Sequence, residues 1–419
     1  MKLAVILTAL LLSSPAVTGY RERDEEGEGG GRRFVLERAE KVVKTDGGEV
    51  RVVRGHRWDG HPTPMHIGFI SMEPNTLFVP QYIDANLILF IRKGDVKIGW
   101  IHKDDLVEKQ LKTGDINRIP AGSTFYIVNT GKGQRLHIIC SIDTTNDYYS
   151  WDWTAPPYQS FFLGGGIYPK SVLAGFDMTT LTTAFNVTTE EIGAITGSGE
   201  AAEEPHRLSP LLNSNLKEST EKRHPTIHDE EDSQPTTSWT FTNLLSSILG
   251  FGNNNQQSQT NKKTAGPVRA PDSYNLYDRD PSFKNPFGWS ISIDERDYHP
   301  LKHSDIGVYL VNLTAGSMLA PHVNPRATEY GIVLGGTGTI QVVYPNGSSA
   351  MKAEVNEGDV FWIPRFFPFC QIASRGGPFE FFGFTTSAKN NHPQLLAGAR
   401  SVMTASMVVA GVGGRRGVK

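Results

Sequence analysis

The chain has 419 residues and a formal net charge of -3. It therefore lacks the strong positive field that holds phosphate backbones, and nucleic acid is not an expected partner. Its length exceeds what one hydrophobic core usually serves, which predicts two domains. A hydrophobic fraction of 38%, with 43 glycines and 25 prolines, indicates a β-rich protein with many turns. Only two cysteines are present, which excludes a small scaffold held together by disulfides.

The first residues predict entry into the secretory pathway. An apolar run over residues 4–12 is followed by small residues up to Gly19 and then by charged residues. The run is too short to span a bilayer, so we predict a signal peptide over residues 1–19, and no later segment has the length and apolarity of a membrane span. Residues 20–33 are rich in glycine, arginine and glutamate and are predicted to be disordered.

Ordered structure is predicted to begin near Phe34, and short β-branched and aromatic runs between turns extend from Glu49 to Ser141. Behind them, Thr188 and Glu191 have the spacing of a capping box, and residues 173–195 are predicted to form a short helix pair projecting from the barrel. Residues 34–195 are therefore assigned to an N-terminal barrel with a helical arm.

A second copy of the strand pattern lies downstream, which indicates an internal duplication. Residues 114–120 (GDINRIP) match residues 358–364 (GDVFWIP), and Gly94 matches Gly336. The segments behind the barrels, residues 168–175 and 392–398, also match, and both are predicted to be helical. Residues 281–410 are assigned to a C-terminal barrel with its own helical arm, followed by a tail over 411–419. Apolar arms would expose hydrophobic surface on a single subunit, which favours self-association.

The two copies are joined by a low-complexity linker over residues 196–280, with an acidic block at 229–232 and an Asn/Gln block at 253–257. Within it, five apolar side chains fall on one helical face: Phe241, Leu244, Leu245, Ile248 and Leu249. This spacing predicts an amphipathic helix that ends at Gly250. Because its polar face has no Lys or Arg, docking on a barrel or a partner is favoured over membrane contact.

These motifs resemble a known family. Pro80, Gly94 and the run from Gly114 through Pro120 to Gly122 are similar to the paired motifs of cupin barrels. The chain from Phe34 to about residue 399 resembles vicilin-type 7S seed globulins, and the similarity is carried by residues 34–38, 73–77, 118–122, 160–162, 381–386 and 392–394. The resemblance implies an all-β fold with short helical arms, made of two tandem cupin (double-stranded β-helix, jelly-roll) barrels. It also implies a homotrimer assembled through the arms.

The function implied by the resemblance is a non-enzymatic seed storage protein, a nutrient reservoir. It would be made in the endoplasmic reticulum, deposited in protein storage vacuoles or outside the cell, and cleaved by vacuolar processing proteases at the linker. The alternative is a small-ligand- or metal-binding cupin, similar to sucrose-binding-protein-like members, that uses the C-terminal barrel. An oxidase or dioxygenase is the least supported class.

The metal motif of cupin enzymes is incomplete in the C-terminal copy. Such enzymes use a His-x-His pair, a Glu and a third His from the second motif. Here His322 and Glu329 remain, whereas Asn324 takes the place of the second histidine and Phe367 that of the third. An amide oxygen is a poor ligand beside imidazole, so we predict no metal, no cofactor and no catalytic residue. His322, Glu329 and Cys370 are vestigial metal candidates, the thiol only after a rearrangement of the site.

The N-terminal copy is poorer still, with Leu87 in place of the glutamate and Phe125 and Tyr126 in the second motif. These residues predict a packed core. Cys140 and Cys370 lie in apolar strand runs and are predicted to be buried free thiols, with a bridge between them as the alternative.

Three sequons are candidates for N-glycosylation in a secreted chain. Asn346 is preferred because Pro345-Asn346-Gly347 is typical of a hairpin tip, whereas Asn312 lies in a strand run and Asn186 lies near the arm.

Overall fold

The computed structural model describes residues 32–36, 39–55, 65–102, 105–144, 158–165, 169–196, 274–389, 393–398 and 401. The predicted signal peptide, most of residues 20–33, the predicted amphipathic helix and the tail over 411–419 lie outside these residues.

The first half of the chain forms twelve short strands and the helical arm. The strands are β1 (Val35–Leu36), β2 (Glu40–Thr45), β3 (Gly48–Val53), β4 (His66–Met72), β5 (Leu77–Ile83), β6 (Ala85–Lys93), β7 (Asp95–His102), β8 (Asp105–Lys112), β9 (Asp115–Ile119), β10 (Ser123–Asn129), β11 (Leu136–Thr144) and β12 (Ser160–Phe162). The arm contains a 3₁₀ turn (Val172–Gly175), α1 (Met178–Phe185) and α2 (Thr189–Thr196).

The second half repeats this pattern of strands. They are β13 (Tyr274–Asn275), β14 (Phe283–Asn285), β15 (Gly288–Ile293), β16 (Gly307–Leu313), β17 (Met318–Val323), β18 (Glu329–Gly335), β19 (Thr337–Val343), β20 (Ser349–Asn356), β21 (Val360–Ile363), β22 (Pro368–Ala373), β23 (Phe379–Thr385) and β24 (Gln394–Leu395), with a 3₁₀ turn at His299–His303. The predicted all-β fold with short helical arms is confirmed.

Each half is a barrel of two antiparallel sheets, and the two halves correspond strand for strand. In the N-terminal barrel a sheet ordered β12-β5-β10-β7-β8 accompanies a sheet ordered β9-β6-β11-β4-β3-β2. In the C-terminal barrel the orders are β24-β17-β22-β19-β20 and β21-β18-β23-β16-β15-β14. The matching topology confirms the duplication that the sequence predicts.

The halves exchange edge strands. Strand β1 pairs with β21 of the C-terminal barrel, and β13 pairs with β9 of the N-terminal barrel. Phe34, just before β1, is fully buried in the C-terminal half, where its ring lies 5.5 Å from that of Trp362. Strand β1 lies in the predicted N-terminal segment but completes a sheet of the C-terminal barrel, and β13 lies in the predicted linker but completes a sheet of the N-terminal barrel. Two-residue strands have no periodicity from which to predict them.

The larger sheets of the two barrels pack against each other, and β6 shows how the sequence provides for this. Successive side chains of a strand point to opposite faces. Leu87, Leu89 and Ile91 belong to the core of the N-terminal barrel, whereas Ile88 and Phe90 belong to the cluster shared with the C-terminal barrel. Because both faces are buried, the strand is continuously apolar instead of alternating.

The arm after the N-terminal barrel is the helix pair predicted over residues 173–195. Asp177 caps α1 by accepting the amide of Thr180 at 2.8 Å. The predicted capping box is confirmed, because the Thr188 amide donates to Glu191 and the Glu191 amide donates to the Thr188 hydroxyl. None of the helices within the described ranges is long and apolar enough to cross a membrane.

The prediction of a helix at the start of the second tail is wrong. Residues 394–395 form strand β24, which pairs with His322 and Val323 of β17. The edge of β17 has backbone N–H and C=O groups that need hydrogen-bond partners, and a neighbouring strand can provide these partners whereas a helix cannot.

Candidate functional site

The candidate site lies inside the C-terminal barrel, where four polar side chains joined by hydrogen bonds, and a histidine next to them in sequence, are buried in an otherwise apolar core. We refer to Tyr309, His322, Asn324, Glu329 and Gln371 as the carboxyl–amide cluster. They come from β16, from β17 and the turn behind it, from β18 and from β22, so both sheets contribute. All five are buried.

Glu329 is the centre of the cluster. Its Oε2 accepts a hydrogen bond from Asn324 Nδ2 at 2.8 Å, and its Oε1 accepts one from Gln371 Nε2 at 3.3 Å. The Tyr309 hydroxyl lies within hydrogen-bond reach of both the Glu329 carboxylate and the Tyr330 carbonyl, which is 3.2 Å away, and its single proton can be donated to either oxygen. A buried carboxylate is tolerated only with such donors, because an unpaired buried charge is very costly.

Burial dominates the electrostatics of the two ionisable groups at this site. It raises the pKa of Glu329 to about 7, although the hydrogen bonds from Tyr309 and Asn324 act in the opposite direction. Burial also lowers the pKa of His322 to about 4. The His322 Nδ1 lies 2.8 Å from the Ala320 carbonyl, and that bond partly offsets the effect of burial. The imidazole is therefore neutral at physiological pH.

Two acceptor atoms of the cluster are left over. Asn324 Oδ1 and Gln371 Oε1 are buried, and neither has a hydrogen-bond partner among the described residues. When Glu329 binds a proton it becomes a donor, and a flip of either amide would present such an oxygen to it. The cluster is thus suited to a carboxyl group that gains and loses a proton.

The residue beside His322 is Phe369, and the prediction that placed Phe367 there is wrong. Phe369 pairs with His322 across the sheet, and their rings are 4.1 Å apart. The Phe367 ring instead packs against Phe34, 5.7 Å away. The turn before β22 is irregular, with Phe366 at a positive φ of 68°, so sequence spacing alone does not give the register of β22.

Cys370 does not join the cluster. It lies between Phe369 and Gln371 on β22, and both of these neighbours point into the barrel. Side chains alternate along a strand, so the Cys370 thiol points to the opposite face. Both thiols are free and buried, as predicted, and burial raises the pKa of Cys140 to about 12 and that of Cys370 above its usual value.

These residues fit a transition-metal site poorly. Among the described residues no group of three or more His, Cys, Asp or Glu side chains comes together. Of the vestigial candidates, His322 and Glu329 share the barrel core, but an amide and a phenyl ring stand beside them in place of further imidazoles.

The N-terminal barrel has an apolar core at the matching positions. Leu87 replaces Glu329, since Leu87 pairs with Ile119 as Glu329 pairs with Ile363. Phe125, also predicted to fill this core, is buried in it. Tyr126 is buried as well, but its hydroxyl donates to Glu108.

Tyr309 and Gln371 were missed in the sequence. The ring of Tyr309 lies over Gly383, where any Cβ would come within 2.3 Å of the hydroxyl oxygen. In the N-terminal barrel the glycine is on the other strand of the equivalent pair, where Gly68 lies against the thiol of Cys140. A tyrosine facing a glycine, and a glutamine in an apolar strand, were the available signals.

The sequons differ in exposure. Asn346 is exposed at the tip between β19 and β20, where its Oδ1 accepts from the Ser348 amide at 2.9 Å. Asn186 is exposed at the left-handed C-cap of α1, whereas Asn312 is half-buried within β16.

Comparisons with known proteins agree with this architecture. The cupin family model matches residues 34–192 and 274–410. A vicilin-like seed storage protein of Arabidopsis thaliana is 50% identical over 395 residues, which cover 89% of this chain and 75% of the relative. A second Arabidopsis vicilin-like protein is 32% identical and is covered over 47% of its length.

Solved structures show the same fold. Vicilin from Capsicum annuum superposes with a TM-score of 0.67 at 20% identity, covering 90% of this chain and 94% of that one. Hazelnut (Corylus avellana) vicilin gives 0.64 at 23% identity, with coverage of 90% and 94%. Vicilin from Solanum melongena, whose structure is described as having different anionic ligands in structurally similar pockets, gives 0.65 at 20% identity, with 89% of each chain covered.

The paired barrels and the two family matches define a two-domain cupin. With half of its residues identical to a curated relative over most of both chains, the chain belongs to the vicilin-like seed storage proteins.

Proposed function

We propose that this protein is a seed nutrient reservoir that performs no catalysis. The observation that carries the proposal is the 50% identity to a vicilin-like seed storage protein over 395 residues. The barrel cores support it, since the N-terminal core is packed with apolar side chains and the C-terminal core has a hydrogen-bonded carboxyl in place of a complete metal motif.

The test is the abundance of the protein through seed life. Quantitative mass spectrometry of maturing, mature and germinating seed should show accumulation to a major fraction of seed protein, followed by loss during germination. Constant low abundance, or a presence confined to leaves, would refute a reservoir function.

We further propose a homotrimer assembled through the helical arms. The 3₁₀ turn and the residue behind it expose Val172 and Phe176, the latter at 58% of its surface. Exposed apolar side chains on a projecting arm favour burial against a second copy. Light scattering should give about three times the 46.1 kDa chain mass before removal of the signal peptide, and Phe176→Asp should lower that mass. A monomer at all concentrations would contradict the proposal.

The secretory route, vacuolar deposition, glycosylation and cleavage at the linker form a connected part of the proposal. The apolar run at 4–12 and the exposed Asn346 sequon support it. Peptide mapping of the native protein should find an N-terminus near residue 20 and a glycan that is lost in Asn346→Gln.

A second candidate function is ligand or metal binding in the C-terminal barrel. It is favoured by the unpaired oxygens of Asn324 and Gln371 next to Glu329. Elemental analysis of native protein tests this function. Stoichiometric copper or manganese would favour metal binding over a purely storage function.

A further inference from the structure

The C-terminal barrel has an apolar groove with a volume of about 300 Å³. It is lined mainly by β14, β15, β16 and β17, and its apolar residues include Phe283, Phe287, Trp289, Val311, Leu313 and Met318. No lining residue carries a charge. This volume is near the lower end of the range for ligand-binding pockets, and it can accommodate a few side chains of a peptide segment.

The groove leaves large apolar side chains in contact with solvent. Phe287 is 57% exposed and Met318 is 52% exposed, although both border a buried core. Single exposed apolar residues are common, but a continuous apolar concavity marks a contact surface. An uncharged, apolar segment would bury these side chains without leaving a charge unpaired.

The chain itself contains such a segment outside the described residues. Phe241, Leu244, Leu245, Ile248 and Leu249 repeat at helical spacing, and residues 241–249 (FTNLLSSIL) carry no charge. By contrast, the acidic block at 229–232 in the same linker would bring charge to a surface that has no cation to pair with it.

The length of the connection permits this segment to reach the groove. Residues 250–273 separate it from Tyr274, and a connector of that length spans roughly 27 Å on random-coil statistics. Tyr274 lies nine residues before Phe283 on the groove wall, at most about 32 Å of extended chain. A flexible connector that can span the two sites gives a tethered segment a high local concentration, which favours the chain's own segment over that of a second copy.

We propose that residues 241–249 form an amphipathic helix that docks intramolecularly in the apolar groove next to Phe287 and Met318. The linker is then anchored near its C-terminal end, and protease access is confined to the parts before and after the docked helix. The docking surface is independent of the reservoir function, which can fail in the seed experiment without affecting it.

Disulfide trapping in the full-length protein tests the docking. Leu245→Cys combined with Met318→Cys should oxidise to an intramolecular disulfide, detected as faster mobility on a non-reducing gel and as a linked peptide pair by mass spectrometry. The native thiols do not compete because both are buried. Two matched controls should cross-link at least tenfold more slowly. One uses Ser246→Cys on the polar helical face, and the other pairs Leu245→Cys with Lys352→Cys on β20, three strands from β17.

Substitution at the exposed groove wall gives an independent readout that does not require a new bond. Met318→Asp should accelerate limited proteolysis within residues 241–249 at least tenfold, whereas Met318→Leu should leave the rate unchanged. Leu245→Asp should have the same effect as Met318→Asp, with Ser246→Asp as its control.

The proposal would be overturned by cross-links that form only between chains, by equal cross-linking in the control pairs, or by unchanged proteolysis in Met318→Asp. A loss of the native oligomer in Met318→Asp would also overturn it, because the groove would then be a subunit contact.

Discussion

Replacing Glu329 by glutamine should change how stability depends on pH. Burial raises the pKa of Glu329 from 4.5 to about 7 in the folded protein. Between these values the folded state holds a proton that the unfolded chain has lost. The stabilising contribution is therefore complete below about pH 4.5 and is lost as the pH rises through about 7. The difference between these two pKa values corresponds to roughly 3 kcal/mol of folding stability.

His322 acts in the opposite direction. Burial lowers its pKa from 6.5 to about 4, so its contribution is complete above pH 6.5 and is lost as the pH falls towards 4. From pH 4.5 to 6.5 the two effects nearly cancel in the native protein. Glu329→Gln removes one of them, and the variant should then lose stability on acidification because His322 is no longer compensated.

The assay is urea denaturation from pH 4.5 to 8 at one protein concentration. The free energy of unfolding of Glu329→Gln, relative to the native protein, should rise by about 3 kcal/mol between pH 4.5 and pH 8. The pH-dependent contributions of other groups, including the buried His66, are the same in both proteins and cancel in this difference. Glu354→Gln, on the exposed face of β20, is the matched control and should give a flat difference. A flat difference for Glu329→Gln would refute the argument that a buried carboxyl holds a proton at this site.

The remaining predictions concern the strand exchange and the turn at the barrel mouth. Phe34→Ala removes a fully buried ring from the C-terminal barrel and should cost about 3–5 kcal/mol in denaturant unfolding, whereas Val42→Ala at an exposed position on β2 should cost little; equal effects would mean that β1 is not docked. Phe366→Gly relieves a left-handed residue at 53% exposure and should stabilise by about 1 kcal/mol, and a loss of stability would show that the ring contributes more than the strain. A protease nick between residues 197 and 273 should leave the two halves co-eluting in gel filtration and separating only in denaturant; separation in native buffer would show that the exchanged strands and the barrel interface do not hold them.

Much of the fold could be predicted because its signals are local or repeated. The duplicated GDINRIP and GDVFWIP runs and the apolar strands fixed two similar β domains, and the Thr188–Glu191 capping box located the arm. The exchange of β1 and β13 could not be predicted, because each is two residues long and is stabilised by a sheet distant in sequence.

The candidate site was predicted in part. His322 and Glu329 were found because a strand pattern places them on known motif positions, and both are buried together in the core. Of the residues that complete the cluster, Tyr309 comes from β16, a strand outside those motifs, and Gln371 lies on β22 just beyond the quoted residues of the second motif. Phe369 was missed because the turn at Phe366 breaks the count from one strand to the next.

The two barrels fill the equivalent part of their cores with different side chains, and this difference bears on function. Where the N-terminal barrel has Leu87, the C-terminal barrel retains a carboxyl that costs stability at neutral pH. That carboxyl accepts hydrogen bonds from two amides and a hydroxyl. These donor groups therefore bond to a side chain of the protein itself.

Strand exchange adds a constraint on how such a reservoir is consumed. Each half supplies an edge strand to the other's larger sheet, and Phe90 stacks on Phe382 between the barrels with ring centroids 4.1 Å apart. Cleavage of the linker removes the covalent connection but none of these contacts. Degradation of the barrels must therefore begin by opening a sheet, so a cut in the linker alone would not release the amino acids stored in the barrels.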